Sequence, residues 1–240
     1  MGLIWDSIVE AFKLIFSLNS YVVSVLAMSL RTSGIALFIG VVIGIPLGTW
    51  LGLARFRGRN VAAAVVNTGL ALPPVVVGLF VYMLLSRRGP LGSLEWLFTP
   101  QAMIIAQVII AMPVIAAITM AAVGSVPREV RTQALGLGAS RPQTIWRVLR
   151  EARVALMAAV VTGFGAIISE VGAVMMVGGN IATTQSNSTR VMTTAIVQET
   201  RMGNYERAMA FGLVLVLIAF LIMLMLTTLQ QGWRGKWMQS

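Results

Sequence analysis

Five long stretches of this chain carry no charged side chain: residues 32–54, 60–86, 96–127, 154–169 and 208–233. An apolar run of about 20 residues is the length of one helical bilayer crossing. The chain is 58% hydrophobic and only 11% charged, where a soluble domain carries roughly 25%. These runs therefore predict an all-α polytopic membrane protein with about five transmembrane helices. One transmembrane domain, 1–240, is expected. In the third run the helix is placed at about 101–124, and the fourth continues past Glu170.

The N-terminal segment is different. Apolar residues recur at Ile4, Ile8, Phe12, Ile15 and Phe16, a helical spacing that predicts an interfacial amphipathic helix over residues 3–18. Asp6, Glu10 and the lack of a basic start argue against a cleavable signal. Residues 14–30 are uncharged but hold Ser17, Asn19, Ser20, Ser24 and Ser29. They read either as the first turns of a long first span or as a sixth span.

The chain has no cysteine and no histidine. That excludes a disulfide framework, a thiol–imidazole metal site and Ser/His or Cys/His catalysis. No Gly-x4-Gly-Lys-Ser/Thr phosphate loop is present, so the chain does not bring its own ATPase of that type. The net charge of +10 reads as a topology signal in membrane loops, not as a nucleic-acid surface. Methionine, 15 residues without regular spacing, reads as adaptable packing.

One polar segment interrupts the apolar chain. Residues 127–153 contain six arginines and two glutamates. Placing this loop inside the cell puts eleven lysines and arginines on that side and seven on the other. The rule that cationic loops stay inside then sets the N-terminus outside and the C-terminus in the cytoplasm. A structured cationic loop on a membrane protein is an offer to a soluble partner.

Within the spans, Gly40, Gly44, Gly48 and Gly52 form a four-residue ladder on one helix face. Close helix packing inside the chain is favoured over a dimer seam. Pro46 is expected to bend that helix. Pro73, Pro74 and Pro113 remove backbone donors and are expected to break their spans, a pointer to a transport pathway or else simple kinks. Glu170 is the one charge in an otherwise apolar run, hence a candidate gate or inter-helix anchor paired with Arg190, or a structural group at the outer interface. Gly172 beside it permits a break or a tight crossing. Thr193 and Thr194 offer hydroxyls to a passing anion, although threonines in spans commonly bond back to their own helix.

The loop and its flanks resemble the permease subunits of ATP-binding-cassette importers. The family's cytoplasmic Glu-Ala-Ala-x3-Gly motif corresponds to Thr132, Gln133 and Ala134, then Leu135, Gly136 and Leu137, then Gly138, followed by Ala139, Ser140 and Arg141. Thr132 stands where the motif has Glu, and Gln133 where it has its first Ala. Leu72-Pro73-Pro74-Val75-Val76-Val77-Gly78-Leu79 is similar to the second-span signature of molybdate, tungstate and sulfate permeases, and Arg87-Arg88-Gly89-Pro90-Leu91-Gly92 to their external loop. The segments from Ile168 to Ile181 and from Arg190 to Ile196 are closest to the tungstate branch, with residues 183–188 as an insertion-like departure.

The resemblance implies a type I ABC importer-like permease that admits tungstate or a similar oxyanion, with molybdate or sulfate as the alternatives. It implies no catalysis and no cofactor in this chain, with ATP and magnesium in a cytoplasmic ATPase dimer. It further implies a homodimer in the bacterial inner membrane, an external substrate-binding protein and contact with membrane lipid. Residues 132–141 would form the coupling helix, with Ala134, Leu135, Leu137 and Ala139 filling a cleft on the ATPase and Gly136 and Gly138 allowing close approach. An ion-coupled carrier is the rival class, disfavoured because only Glu170 is charged within a span.

Overall fold

The computed structural model describes residues 20–182 and 188–235, with Trp5, Ile8, Val9, Phe12 and Lys13. Side chains are described as far as residue 228, and at 230. The amphipathic helix expected over residues 3–18 lies mostly outside this set, although the five residues described there are helical. Of the insertion-like run, 183–187 also lie outside it.

Among the described residues the structure is helical, with no strand. The elements are α1 (Ser20–Leu53), α2 (Arg59–Leu70), α3 (Pro74–Leu85), α4 (Pro100–Gly124), α5 (Arg128–Gly136), α6 (Arg141–Glu151), α7 (Arg153–Ile168), α8 (Gly172–Gly178), α9 (Met192–Arg201) and α10 (Tyr205–Gly235). A single 3-10 turn, Gly92–Leu94, lies between α3 and α4.

α1, α4 and α10 are each long and apolar enough to cross a membrane, and two bent pairs, α2 with α3 and α6 with α7, pass only together, giving up to five spans. The choice left open for residues 14–30 is settled from Ser20 onward: they form the first turns of α1, 34 residues long. At 1.5 Å per residue that is about 50 Å, well beyond the ~30 Å hydrocarbon layer. Of the hydroxyls that made this segment ambiguous, Ser24 and Ser29 bond back to their own helix, as does Thr32 just beyond it. Ser24 donates to the Tyr21 carbonyl at 2.7 Å, Ser29 to Val25 at 2.9 Å and Thr32 to Met28 at 2.9 Å. Each hydroxyl proton is thereby satisfied within the helix.

The prolines behave unequally. The run 60–86 is two helices, because the chain stops being helical after Leu70 and restarts at Pro74. Pro73 is extended (φ −61°, ψ 126°) and Pro74 takes the first turn of α3. A residue before proline is pushed out of the helical region, while proline itself fits a first turn. Pro113, by contrast, lies inside an uninterrupted α4, so the expected break there is not found. The neighbouring helix accommodates it: a Cβ at Gly69 would sit 2.4 Å from the Pro113 Cβ. Close protein packing replaces the lipid that would otherwise face the missing donor.

The chain divides into two compact units. The first comprises Met1–Ala36, Pro73–Ile109 and Gly165–Ile222. Its core includes Val22, Val25, Met192, Ala195, Phe211 and Val214. The second comprises Leu37–Leu72, Ile110–Phe164 and Met223–Ser240. Ala122, Val123, Val126, Val148 and Ala152 form a buried cluster there.

The glycine ladder of α1 belongs to the second unit and meets α4. A Cβ at Gly48 would lie 2.3 Å from the Ala116 carbonyl oxygen, and one at Gly52 2.9 Å from that of Met120. Intramolecular packing, the favoured reading of the ladder, is what the structure shows. Side chains on α10 such as Phe220 and Leu224 remain exposed, as expected of a face turned to lipid.

Candidate functional site

In the first unit three helix N-termini come together around Glu170. Val75, on the first turn of α3, packs where α8 begins: a Cβ on Gly172 would lie 2.7 Å from the Val75 Cγ2. One turn further, a Cβ on Gly78 would lie 2.7 Å from the Ala173 Cα. The two glycines thus let α3 and α8 approach closely, backbone to side chain at Gly172 and backbone to backbone at Gly78. Pro73 and Pro74 set where α3 starts, and so where this crossing falls.

Glu170 is 92% buried, with 8% of its surface exposed. Its Oε1 accepts the Ala173 amide of α8 at 2.8 Å. A carboxylate at a helix N-terminus satisfies an orphan N–H and opposes the positive end of the dipole. The Glu170 carbonyl in turn accepts the Thr193 hydroxyl at 3.0 Å, which ties α9 to the α7–α8 junction. The Glu170 side chain thus caps α8, and it is the backbone carbonyl, not the carboxylate, that reaches α9.

The expected pairing with Arg190 is not found. The Arg190 guanidinium donates through Nη1 to the Tyr21 hydroxyl at 3.0 Å, through Nε to Asn180 Oδ1 at 3.2 Å and through Nη2 to the Asn180 carbonyl at 3.3 Å. All three acceptors are neutral. Arg190 lies on the approach to α9, while the Glu170 carboxylate is turned onto the α8 amide; each group is satisfied by its nearer neighbours.

Thr194 is fully buried. Its hydroxyl donates to the Val191 carbonyl at 3.0 Å and accepts the Val191 amide at 3.1 Å. Thr193 is committed to Glu170. Thr194 bonds back within its own first turn, whereas Thr193 reaches out of its helix to the Glu170 carbonyl.

Sequence reasoning missed several partners in this cluster. Ser29 Oγ accepts the Met192 amide at 2.8 Å, so α1 caps α9. Gln107 donates to Ser33 Oγ at 3.4 Å, and its Oε1 is buried without a partner. Ser29, Ser33, Gln107, Glu170 and Thr193 line a cavity of about 10 Å³, the size that holds about one water molecule. The available signal was Ser29 and Ser33, four residues apart on one face, and the amide of Gln107 within the apolar run of α4.

The second unit carries the cationic loop. Pro127 precedes α5, whose first turn holds Glu129. Arg131 donates through Nη2 to the Val123 carbonyl at 3.1 Å, covering an orphan acceptor in the last turn of α4. Burial, then the nearby Arg128 and Arg55 charges, lower the pKa of the Arg131 guanidinium from its ordinary value. Thr132 bonds back to the Arg128 carbonyl at 3.2 Å.

α5 ends in a Schellman turn. The Gly138 amide donates to the Leu135 carbonyl at 3.0 Å and the Ala139 amide to that of Ala134 at 3.0 Å, with Gly138 at φ +82°. A left-handed residue at this position is what favours glycine. Nothing lies within 4 Å of a Cβ placed on Gly136 or on Gly138. Within the chain, then, Gly138 is required by its backbone angle and not by crowding. Ser140 opens α6, and its amide donates to Gln143 Oε1 at 2.7 Å, half of a capping box.

The loop leaves apolar side chains in the open. Leu137, at the tip, is 89% exposed, and Trp146 on α6 is 69% exposed. Leu135 is exposed as well, whereas Ala134 and Ala139 are half-buried. Thr144 and Val148 form the buried face of α6. Between the loop and α1 lies a groove of about 690 Å³, with Pro46, Trp50 and Leu53 on one side and Arg131, Leu135 and Ile145 on the other.

Residues 44–235 match the family described as the binding-protein-dependent transport system inner membrane component. The chain belongs to this family. The match takes in the cationic loop and all of the Glu170 cluster except its α1 residues. A probable anion ABC transporter permease protein of Haloferax volcanii is 43% identical, covering 82% of this chain and 85% of that protein. The tungstate uptake system permease protein TupB of Peptoclostridium acidaminophilum is 39% identical, covering 92% of this chain and 95% of its own length. Among solved structures, a chain of the inward-facing MetNI methionine ABC transporter matches with a TM-score of 0.74 at 19% identity, covering 90% of this chain and 98% of that one. The fold is that of a type I ABC importer permease.

Proposed function

We propose that this chain is the membrane subunit of an ATP-driven importer that carries tungstate, or a closely similar oxyanion, into the cell. The observation that carries the reading is the match to a tungstate permease over nine-tenths of both chains. Molybdate and sulfate are the alternatives, since both are tetrahedral dianions. ATP and magnesium are held by a separate ATPase, which grips residues 132–141. The exposed Leu135 and Leu137, on a turn locked by Gly138, support that reading. A rigid apolar tip transmits displacement where a floppy one absorbs it.

The loop faces the cytoplasm in this reading, with the N-terminus outside, as the arginine distribution argues. A second copy of the chain completes the pathway, and an external binding protein selects the anion. Glu170, Thr193 and Ser29 hold α8, α9 and α1 together as one moving body, so they act on the pathway by positioning its helices, not by touching the anion.

The test is uptake of labelled tungstate by cells lacking their own carrier, supplied with this chain, its ATPase and its binding protein. Accumulation that needs all three, with molybdate and sulfate as competitors, supports the reading. Uptake by this chain alone overturns it in favour of an ion-coupled carrier.

A further inference from the structure

The coupling role uses the tip of the cationic loop but leaves its other end unexplained. Arg150, in the last turn of α6, is exposed. Arg153 opens α7, and the two helices meet at a bend of 69°. Beside this elbow runs a groove of about 500 Å³ lined by both arginines, by Ile45 of α1, and by Leu156, Met157 and Val160 of α7. Trp146, one turn before Arg150, lines it too and is 69% exposed.

We propose that this groove binds an anionic phospholipid, its phosphate on the two arginines and an acyl chain along α7. The inference needs the membrane-spanning fold but not the identity of the transported anion. Four observations carry it. α6 buries only Thr144 and Val148, as a helix lying on a surface does. The bend passes the chain from that polar helix into the uncharged run that begins at Val154, which places the elbow at the boundary between polar and apolar surroundings. From Arg153 to Val160 the helix advances about 10 Å into the apolar region, so charge and oily wall have the order of a headgroup and its chain. Trp146 adds an interfacial aromatic ring of the kind found at headgroup depth.

Charge complementarity selects the headgroup. The loop carries six arginines against Glu129 and Glu151, and Glu151 is engaged by Arg147 at 3.7 Å. Guanidinium groups bind phosphate in a fork, and basic pockets at the cytoplasmic side of spans take anionic headgroups. A small free oxyanion fits less well, because apart from the arginines the walls are apolar and offer it no dense set of donors.

The test uses the full-length purified chain, without ATPase, in detergent. Lipid retention is counted by native mass spectrometry, with phosphatidylglycerol and phosphatidylcholine of identical chains supplied together. The expected result is at least tenfold preference for phosphatidylglycerol, lost in the double variant R150Q/R153Q and lost again in V160W, which fills the groove but keeps both arginines. R57Q, a basic residue outside the groove, should keep the preference. Equal retention of the two lipids by the unaltered chain overturns the proposal, as does undiminished preference in V160W. Displacement of the lipid by millimolar tungstate or inorganic phosphate assigns the arginines to a free anion instead. A changed oligomeric state in V160W, with lipid preference intact, assigns the groove to a second copy. Failure of this test leaves the uptake experiment untouched, and the reverse also holds.

Discussion

On the proposed coupling role, replacing Gly138 by alanine should loosen the grip of the ATPase, and the structure sets how much. The site is open, with nothing within 4 Å of the added methyl group, so no steric clash contributes. What remains is the backbone: φ is +82°, and a Cβ in the left-handed region costs roughly 1–2 kcal/mol. Two hydrogen bonds close the turn, from Gly138 to Leu135 and from Ala139 to Ala134, each of 3.0 Å. That strain favours an opened turn by about 5–30-fold, and a partner that needs the closed form loses affinity by up to the same factor. The matched control is Gly136→Ala. Gly136 is equally open but helical, so alanine there should strengthen α5 by up to about 1 kcal/mol. Asparagine at 138 should fall between glycine and alanine, because it tolerates the left-handed region. The assay is affinity of the purified permease for its ATPase, with ATPase stimulation in proteoliposomes as the second readout. If the alanine variants at 136 and 138 bind alike, the turn does not present the docking surface and the coupling assignment falls.

Leu137→Asp should change thermal stability by less than about 0.5 kcal/mol, because the side chain is 89% exposed, yet abolish ATPase stimulation; a large drop in melting temperature would contradict the exposed placement. Gly48→Ala should destabilise by about 1–3 kcal/mol or more, since its Cβ meets a backbone oxygen at 2.3 Å, whereas Gly34→Ala, helical and with nothing within 4 Å, should hold or raise stability, by up to about 1 kcal/mol, in the same melting assay. Glu170→Gln keeps an oxygen for the Ala173 amide and should melt near the unaltered chain, while Glu170→Ala should lose about 0.5–2 kcal/mol; equal melting of the two would remove the capping role. Ser29→Ala leaves the buried Met192 amide without its acceptor and should cost about 1–3 kcal/mol, read by hydrogen exchange at the start of α9.

The spans were legible because bilayer crossing is a one-dimensional requirement. Length and absence of charge are properties of a contiguous run, and α1, α4 and α10 satisfy them without reference to any neighbour. The loop was legible for the same reason, as were its glycine at 138 and the break at Pro73-Pro74, since backbone angles of glycine and proline are local.

Pairing is not local. Glu170 and Arg190 look like partners in a list of charges, yet the carboxylate caps α8 and the guanidinium holds Asn180 and Tyr21. Pro113 looks like a break, yet Gly69 lies close enough to shelter it. The capping of α9 by Ser29 joins residues 163 positions apart. Hydropathy, span length, cationic topology and turn chemistry are thus written along the chain, because each depends on a residue and its immediate neighbours. Which buried polar group satisfies which other was decided only by tertiary packing, because a hydrogen bond forms between atoms near in space, and their nearness follows from how the helices cross.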